Sequence, residues 1–432
     1  MDPVQALVNV ATAPIYAASV ASSVVTGASI KLATGVFTAA SDSTVVDTVL
    51  AVIHRSIEAV AGSLSGAALI WTGIFTNGIN ETTIRFVLDN LGDAFRFLYD
   101  IIKPANIISV RPQGANGPGV GGNPYNELDL HQAENRNGLI HQFQRVALTI
   151  TAIIRLARID LSGRRLGDIG MDVRLRTDPD LDDPTSLTYV SRLNDGVQSP
   201  PDEKWLFING IANEFTWFQR SCDKLRDTFQ RDVKGIYNRS DGILWDVIEC
   251  LGERVAGGPN PLIERTRSSK AAQAALTREL QGTLWPTGRA PPRKVVVVAH
   301  SQGCLLLRLV LQDLVRDYPA GSRRREDVRE RLRVFTFGNP SLDWRVMDEK
   351  ERSLSEYAKA TEHFAHEADF VARLGLVTHR DAPDSGYDPA HVFYSKEGRG
   401  HLFGAHYPLG VEEYNNGKTS SLLAAVGGAS IA

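Results

Sequence analysis

The chain has 432 residues, too many for one compact core of ordinary size, so two domains, or one enlarged by insertions, are expected. Its 47 basic and 50 acidic residues leave a formal net charge of -3, a near balance that gives no reason to expect nucleic acid as a partner. Three cysteines, Cys222, Cys250 and Cys304, form an odd set without C-x-x-C spacing and argue against both a disulfide framework and a structural zinc site.

Residues 1–110 are rich in Ala, Val, Ser and Thr and predict a mainly helical domain, lipid-docking or pocket-covering. No charged side chain occurs from Pro3 to Ile30 or from Ala59 to Asn80, lengths that suffice to cross a bilayer. Their Ala, Ser, Thr and Gly content supplies little drive for insertion, so buried or surface-docking helices are favoured and residues 1–108 become a candidate peripheral membrane contact. The Met1-Asp2-Pro3 start lacks the basic region of a secretory signal, which favours a cytoplasmic address, with membrane association left open. Ile84, Leu88, Leu91, Phe95, Leu98 and Ile102 recur at helical spacing with Asp89, Asp93 and Arg96 between them, an amphipathic helix with its apolar face turned to the core.

Residues 111–137 read as a Gly- and Pro-rich linker, too dense in both for helix or ladder and without the Lys-Ser/Thr of a phosphate loop. Residues 138–200 read as a connecting helix, Leu139 to Ile159, followed by loops at clusters of Pro and Asp. From 201 to 432 the pattern alternates. Strands are expected at Trp205–Ile208, Val233–Tyr237, Val295–Val298 and Val334–Phe337, and helices at Phe215–Phe229, Ile243–Val255, Arg267–Gln281 and Gln302–Asp317. Such alternation predicts an α/β class with a mostly parallel sheet, flanking helices on both faces and sites at the carboxyl ends of the strands.

Val295-Val-Val-Val-Ala-His-Ser-Gln-Gly303 carries the chemistry. An apolar β-branched run breaks into a small-x-Ser-x-Gly turn and then a helical pattern, the context in which a nucleophilic serine is presented at a strained turn. Ala299 and Gly303 are small where strand and helix pass close by, although Ala299 stands where a Gly is usual. A serine hydroxyl is a poor nucleophile at neutral pH, so Ser301 needs a histidine base, and the base needs a carboxylate to fix its tautomer. Asp369, past a later strand in Glu362-His-Phe-Ala-His-Glu-Ala-Asp369, is the first choice of acid, with Glu367 and Asp343 as alternatives. Six histidines come after Ser301, and Gly400-His-Leu-Phe-Gly-Ala-His406 holds the two preferred bases. His406 comes first, because Gly404 and Ala405 leave the backbone free before it and Val411–Asn415 looks able to start a terminal helix; His401 is the alternative. His363 and His366, beside Glu362 and Glu367, lack H-E-x-x-H spacing and are not read as metal ligands. Oxyanion donors are expected at the Gln302 N–H and, after an earlier strand, the Ile211 N–H, with Gly210 supplying an unusual backbone angle.

On these residues, about 200 to 416 resemble the α/β-hydrolase superfamily, with Tyr237-Asn-Arg-Ser-Asp-Gly-Ile-Leu-Trp-Asp246 and the His-Ser-Gln-Gly turn similar to those of lipase- and esterase-like enzymes. The resemblance implies Ser301 as nucleophile, Asp369 as acid, His406 as base, donors at Gln302 and Ile211, and no metal or organic cofactor. It does not carry a substrate, because the fold hosts esterases, lipases, thioesterases, acyltransferases and inactive binding proteins. The expectation is a carboxylic-ester hydrolase acting on a small-molecule or lipid ester, the lipid favoured by the charge-poor N-terminal helices. A non-catalytic hydrolase-fold protein regulating a membrane-interacting N-terminus, and an acyltransferase or thioesterase, are the alternatives.

Overall fold

The computed structural model describes residues 91–110, 122–156, 173–194, 196, 199–243, 246, 249–250, 265–347 and 351–432. The charge-poor helices expected before residue 91, the Gly-rich stretch 111–121 and most of the helix expected at Ile243–Val255 lie outside them.

The frame is a seven-stranded sheet built from β1 (Thr188–Ser191), β2 (Glu203–Ile208), β3 (Val233–Ile236), β4 (Lys294–His300), β5 (Leu332–Phe337), β8 (Ala360–His366) and β9 (Val392–Ser395). Their order across the sheet is β1-β3-β2-β4-β5-β8-β9. Only β1 runs antiparallel, on the outer side of β3; every other neighbouring pair is parallel. A separate hairpin pairs β6 (Arg345–Met347) with β7 (Glu351–Ser353).

Helices cover both faces, and the period-two geometry of the strands explains the unbroken apolar runs between them. Val295 and Val297 of β4, with Leu206, Ile208 and Val334, pack against α4 (Arg267–Leu284) and α5 (Gln302–Asp317) through Leu276, Leu306 and Val310. Val296 and Val298, with Phe207, Phe335 and Phe364, face α3 (Phe215–Phe229) and the C-terminal α9 (Ser421–Ala424) through Phe218, Leu225 and Leu422. All four valines are wholly buried, each adding about 1.5–3 kcal/mol of transfer free energy. The helix α6 (Arg323–Arg331), capped by Ser322 accepting from the Arg325 N–H, leads into β5.

Before the sheet come α1 (Leu91–Ile102) and α2 (Ala133–Leu156), and after β8 the short helices α7 (Phe370–Arg373) and α8 (Leu376–His379). No described helix is long and apolar enough to cross a membrane.

Three expectations change. β1 arises from residues 188–191, where only loops were expected, because an edge strand paired on one side needs no long apolar run. Residues 122–128, expected to belong to a linker, are packed into the molecule, with Asn123, Tyr125, Asn126 and Glu127 buried. The terminal helix expected from Val411 is a single 3-10 turn, Val411–Glu413.

The chain leaves β2 for β3 on one side and returns past it to β4 on the other. Loops after β2 and β4 therefore leave in opposite directions, a switch point at the carboxyl ends of the strands, where ligands bind in sheets of this kind.

Candidate active site

Ser301 stands at that switch point. It comes directly after β4 and precedes α5, and the reversal forces its backbone to φ 56°, ψ −127°, a conformation that costs a non-glycine residue about 1–3 kcal/mol. The turn is held from both sides, since the Ser301 N–H donates to Phe337 O at 2.8 Å and the Cys304 N–H donates to Ser301 O at 2.9 Å. A Cβ on Gly303 would lie 2.7 Å from the carbonyl oxygens of Ile208 and Asn209, so the residue type is set by the approach of α5 to the end of β2. Gly210 is small for a different reason than expected. Its backbone is not left-handed, and a Cβ there would stand 2.2 Å from the Ser301 Cβ; the left-handed residue in this loop is Ala212, at φ 51°.

The Ser301 Oγ lies 2.8 Å from Nε2 of His401, whose Nδ1 lies 2.6 Å from Oδ2 of Asp369. A carboxylate can only accept, so Nδ1 carries the proton and Nε2 is left to accept from the serine hydroxyl. Asp369 is fixed twice over. Its Oδ1 caps α7 by accepting from the N–H groups of Val371 and Ala372, and its Oδ2 also accepts from the Tyr407 hydroxyl at 2.6 Å. Burial opposes the charge on Asp369 most strongly, but His401 and the hydrogen bonds from His401 and Tyr407 together outweigh it and hold the carboxyl below the usual range.

The histidine is a correction. His406, the first choice of base, is turned away from Ser301: its backbone N–H donates to Leu402 O at 3.0 Å and its Nδ1 accepts from the Leu402 N–H at 3.1 Å, closing a turn of the loop. Burial pushes its imidazole down to about 3, so it stays neutral. The residues thought to free the backbone before it, Gly404 and Ala405, are pinned by Glu127, which accepts from both N–H groups at 2.7 and 2.8 Å. The informative glycine is Gly400. It adopts φ 80°, and a Cβ there would meet the His406 ring at 2.6 Å, so the turn that delivers His401 depends on it. The alternative acids are occupied elsewhere, Asp343 with Arg308 at 3.4 Å and Glu367 with Arg380 at 3.3 Å.

His300, Tyr407 and Phe97 were not anticipated. The His300 ring lies tilted against that of His401, with centroids 4.7 Å apart, and its Nε2 donates to His401 O at 2.8 Å; burial drives its base strength far down, so it remains neutral. Phe97 of α1 stands edge-on to His401 at 6.0 Å and packs with Phe370, Val371 and Leu374, so an apolar wall borders the imidazole. Ser301 itself has no exposed surface. Of the two expected oxyanion donors, Gln302 is the first residue of α5, and Ile211 lies between Gly210 and Ala212 in the loop after β2.

A buried polar network fixes that loop. Asn209 donates to Asn238 O at 2.8 Å and accepts the Asn238 N–H at 2.8 Å, while Asn238 donates to Gln302 Oε1 at 2.7 Å and Gln302 to Glu249 at 2.9 Å. Asp246 accepts the Ala212 N–H at 3.0 Å and is pushed up to about 7 by burial and by neighbouring Asp241. Asn238 and Asp246, within the stretch Tyr237 to Asp246 singled out in the sequence, therefore bond to Gln302, directly after Ser301, and to the loop after β2.

Among the described residues, no group of three or more His, Cys, Asp or Glu side chains is arranged to hold a metal ion. His363 and His366 differ by an odd number along β8 and point to opposite faces, His363 toward Thr336 Oγ1 at 2.7 Å and His366 onto the Tyr407 ring at 4.2 Å.

No family model matches this chain, and no curated protein matches it. What the arrangement offers is chemical: a strained serine at a strand end, an imidazole whose Nε2 lies within hydrogen-bond reach of its hydroxyl, and a buried carboxylate on the imidazole's other nitrogen.

Proposed function

We propose that the chain is a serine hydrolase of the α/β-hydrolase type that cleaves carboxylic esters through an acyl-enzyme. The observation that carries this reading is the continuous hydrogen-bonded path from Ser301 Oγ through His401 to Asp369 at 2.8 and 2.6 Å, ending on a serine held at positive φ. Structural serines have no need of that strain or of a buried acid behind their partner.

In the proposed reaction Ser301 Oγ attacks the ester carbonyl carbon while His401 Nε2 takes its proton. The N–H groups of Gln302 and Ile211 serve as donors to the oxyanion, each worth about 3 kcal/mol in reactions of this class. Collapse of the tetrahedral intermediate breaks the bond to the alkoxide, which leaves with the proton from His401. Water then attacks the Ser301 acyl ester, giving its proton to His401, and the free acid departs as the proton returns to Oγ. Asp369 keeps its negative charge throughout and stabilises the imidazolium.

A lipid-like ester is the favoured substrate class. Supporting it is the apolar wall of Phe97, Phe370, Val371 and Leu374 beside His401, which suits a hydrocarbon better than a charged group.

Fluorophosphonate labelling of the full chain is the test. Covalent addition at Ser301 that is lost in Ser301→Ala supports the reading; labelling unchanged in Ser301→Ala refutes it. Product analysis with added alcohols or thiols then separates hydrolysis from acyl transfer.

A further inference from the structure

His401 belongs to no helix or strand, since the chain from Gly400 to Pro408 makes only turns. Buried backbone groups must still find partners, and here they find them on two charged side chains from distant parts of the chain. Lys224 of α3 donates from Nζ to the carbonyl oxygens of Phe403 at 2.6 Å, Gly404 at 3.2 Å and Tyr407 at 2.5 Å. Glu127 accepts the N–H groups of Gly404 and Ala405 on its two carboxylate oxygens, and Asn123 donates to Gly404 O at 2.8 Å. The Ile108 N–H closes the set on Ala405 O at 2.9 Å. A Cβ on Gly404 would lie 2.0 Å from Tyr125 O, so the strap 123–127 presses on the loop as closely as a glycine allows.

Both charges are nearly inaccessible, Glu127 and Lys224 each at 2% exposure. Burial raises the Glu127 carboxyl and lowers the Lys224 amine to about 7, while the opposite charge of each partner acts against that shift. Burying two charges is unfavourable unless they satisfy groups that nothing else reaches. Neither touches Ser301, His401 or Asp369 by any of these bonds, and together they hold Phe403, Gly404, Ala405 and Tyr407, in the turn that follows His401.

We propose that Glu127 and Lys224 are positioning residues: a buried charged clamp that holds the His401–Tyr407 loop so that the imidazole stays in line between Ser301 and Asp369. The proposal rests on His401 being the base of the proposed reaction. A displacement of about 1 Å in such a group costs on the order of 100-fold in rate.

Two readouts test it on the full chain, the downfield proton resonance of the His401 Nδ1–H···Asp369 hydrogen bond and the rate of phosphonate addition to Ser301. Glu127→Gln is isosteric but places an amide donor against a loop N–H, and Lys224→Met removes the donor to three carbonyls. Both variants are expected to lose or broaden the resonance and to slow labelling about 10- to 100-fold while still unfolding cooperatively. A wild-type resonance retained in both, with labelling unchanged, overturns the clamp, and so does a wild type that lacks the resonance. Where neither charge variant unfolds cooperatively, Asn123→Ala decides, since it withdraws the bond to Gly404 O, together with the one its Oδ1 accepts from the Tyr125 N–H, and leaves both charges in place; slower labelling and a shifted resonance support the clamp, and no change overturns it. If the wild type shows the resonance but is never labelled, the hydrolase reading fails, and the resonance in the variants alone decides the clamp.

Discussion

Ser301 stands between β4 and α5, whose backbone groups are bonded within regular structure, whereas His401 stands in a loop whose backbone is bonded to side chains 179 to 281 residues away. Both residues meet at 2.8 Å, yet they arrive by different physics. A buried strand and an amphipathic helix fix a turn locally, through apolar burial and ladder hydrogen bonds. An irregular loop can be fixed as tightly only by long-range polar contacts, and these depend on where the rest of the chain folds. The serine side of the site should therefore tolerate change in the distant chain, and the histidine side should not.

Substitutions on the two sides test this contrast, the most damaging first. Ser301→Ala and His401→Ala are each expected to lower kcat on a soluble ester by on the order of 10⁶, because nucleophile and base act as one unit. Equal residual rates in the two variants and in a double variant check it. Asp369→Asn, which lets Nδ1 lose its proton to the wrong tautomer, is expected to cost about 10⁴ in kcat with KM little changed. Tyr407→Phe removes one of the hydrogen bonds to Asp369 Oδ2, and about a 10-fold loss of kcat, or about 1.4 kcal/mol, is expected. His406→Ala removes the acceptor for the Leu402 N–H and the buried ring beside Gly400 but no member of the Ser301–His401–Asp369 path, and its kcat should stay within about 5-fold of wild type, given about 1 kcal/mol for one such bond.

The smallest effect is on stability against acid. Burial lowers His363 and His406 to about 3 and His366 to about 4, from 6.5, and drives His300 well below its ordinary value. Between those values and 6.5 the unfolded chain binds more protons than the folded one, so stability is complete above about 6.5 and falls as pH drops through that window. Asp246, raised to about 7, acts in the opposite sense between an unfolded value near 4 and 7, as does Glu127, raised by its burial, and two groups do not cancel four. Urea midpoints measured from about pH 7.5 down to 4.5 should decline, and His363→Gln should flatten the decline.

The same contrast explains what could be seen in the sequence. The Val295–Val298 run, the helix Gln302–Asp317 and the small Gly303 were legible because each is written in neighbouring residues: apolar runs, period 3.6, a size limit at a turn. Asp369 was legible because it stands just past a strand and caps the next helix, α7. His401 was not separable from His406, since the loop that carries both is bonded to Glu127 and Lys224, which no local pattern connects to residue 401. Gly400 was the one local clue, as a left-handed turn directly before the histidine. β1 and β9 were missed because each spans only four residues at an edge of the sheet, too few for a period to show.

At the centre of the proposed chemistry, His401 and not His406 activates Ser301. The decisive measurement is the rate of fluorophosphonate addition at Ser301 in wild type, His401→Ala and His406→Ala, with the modified residue identified by peptide mass. Rapid labelling of Ser301 is predicted in wild type and His406→Ala, and almost none in His401→Ala. Labelling lost in His406→Ala but kept in His401→Ala would contradict it.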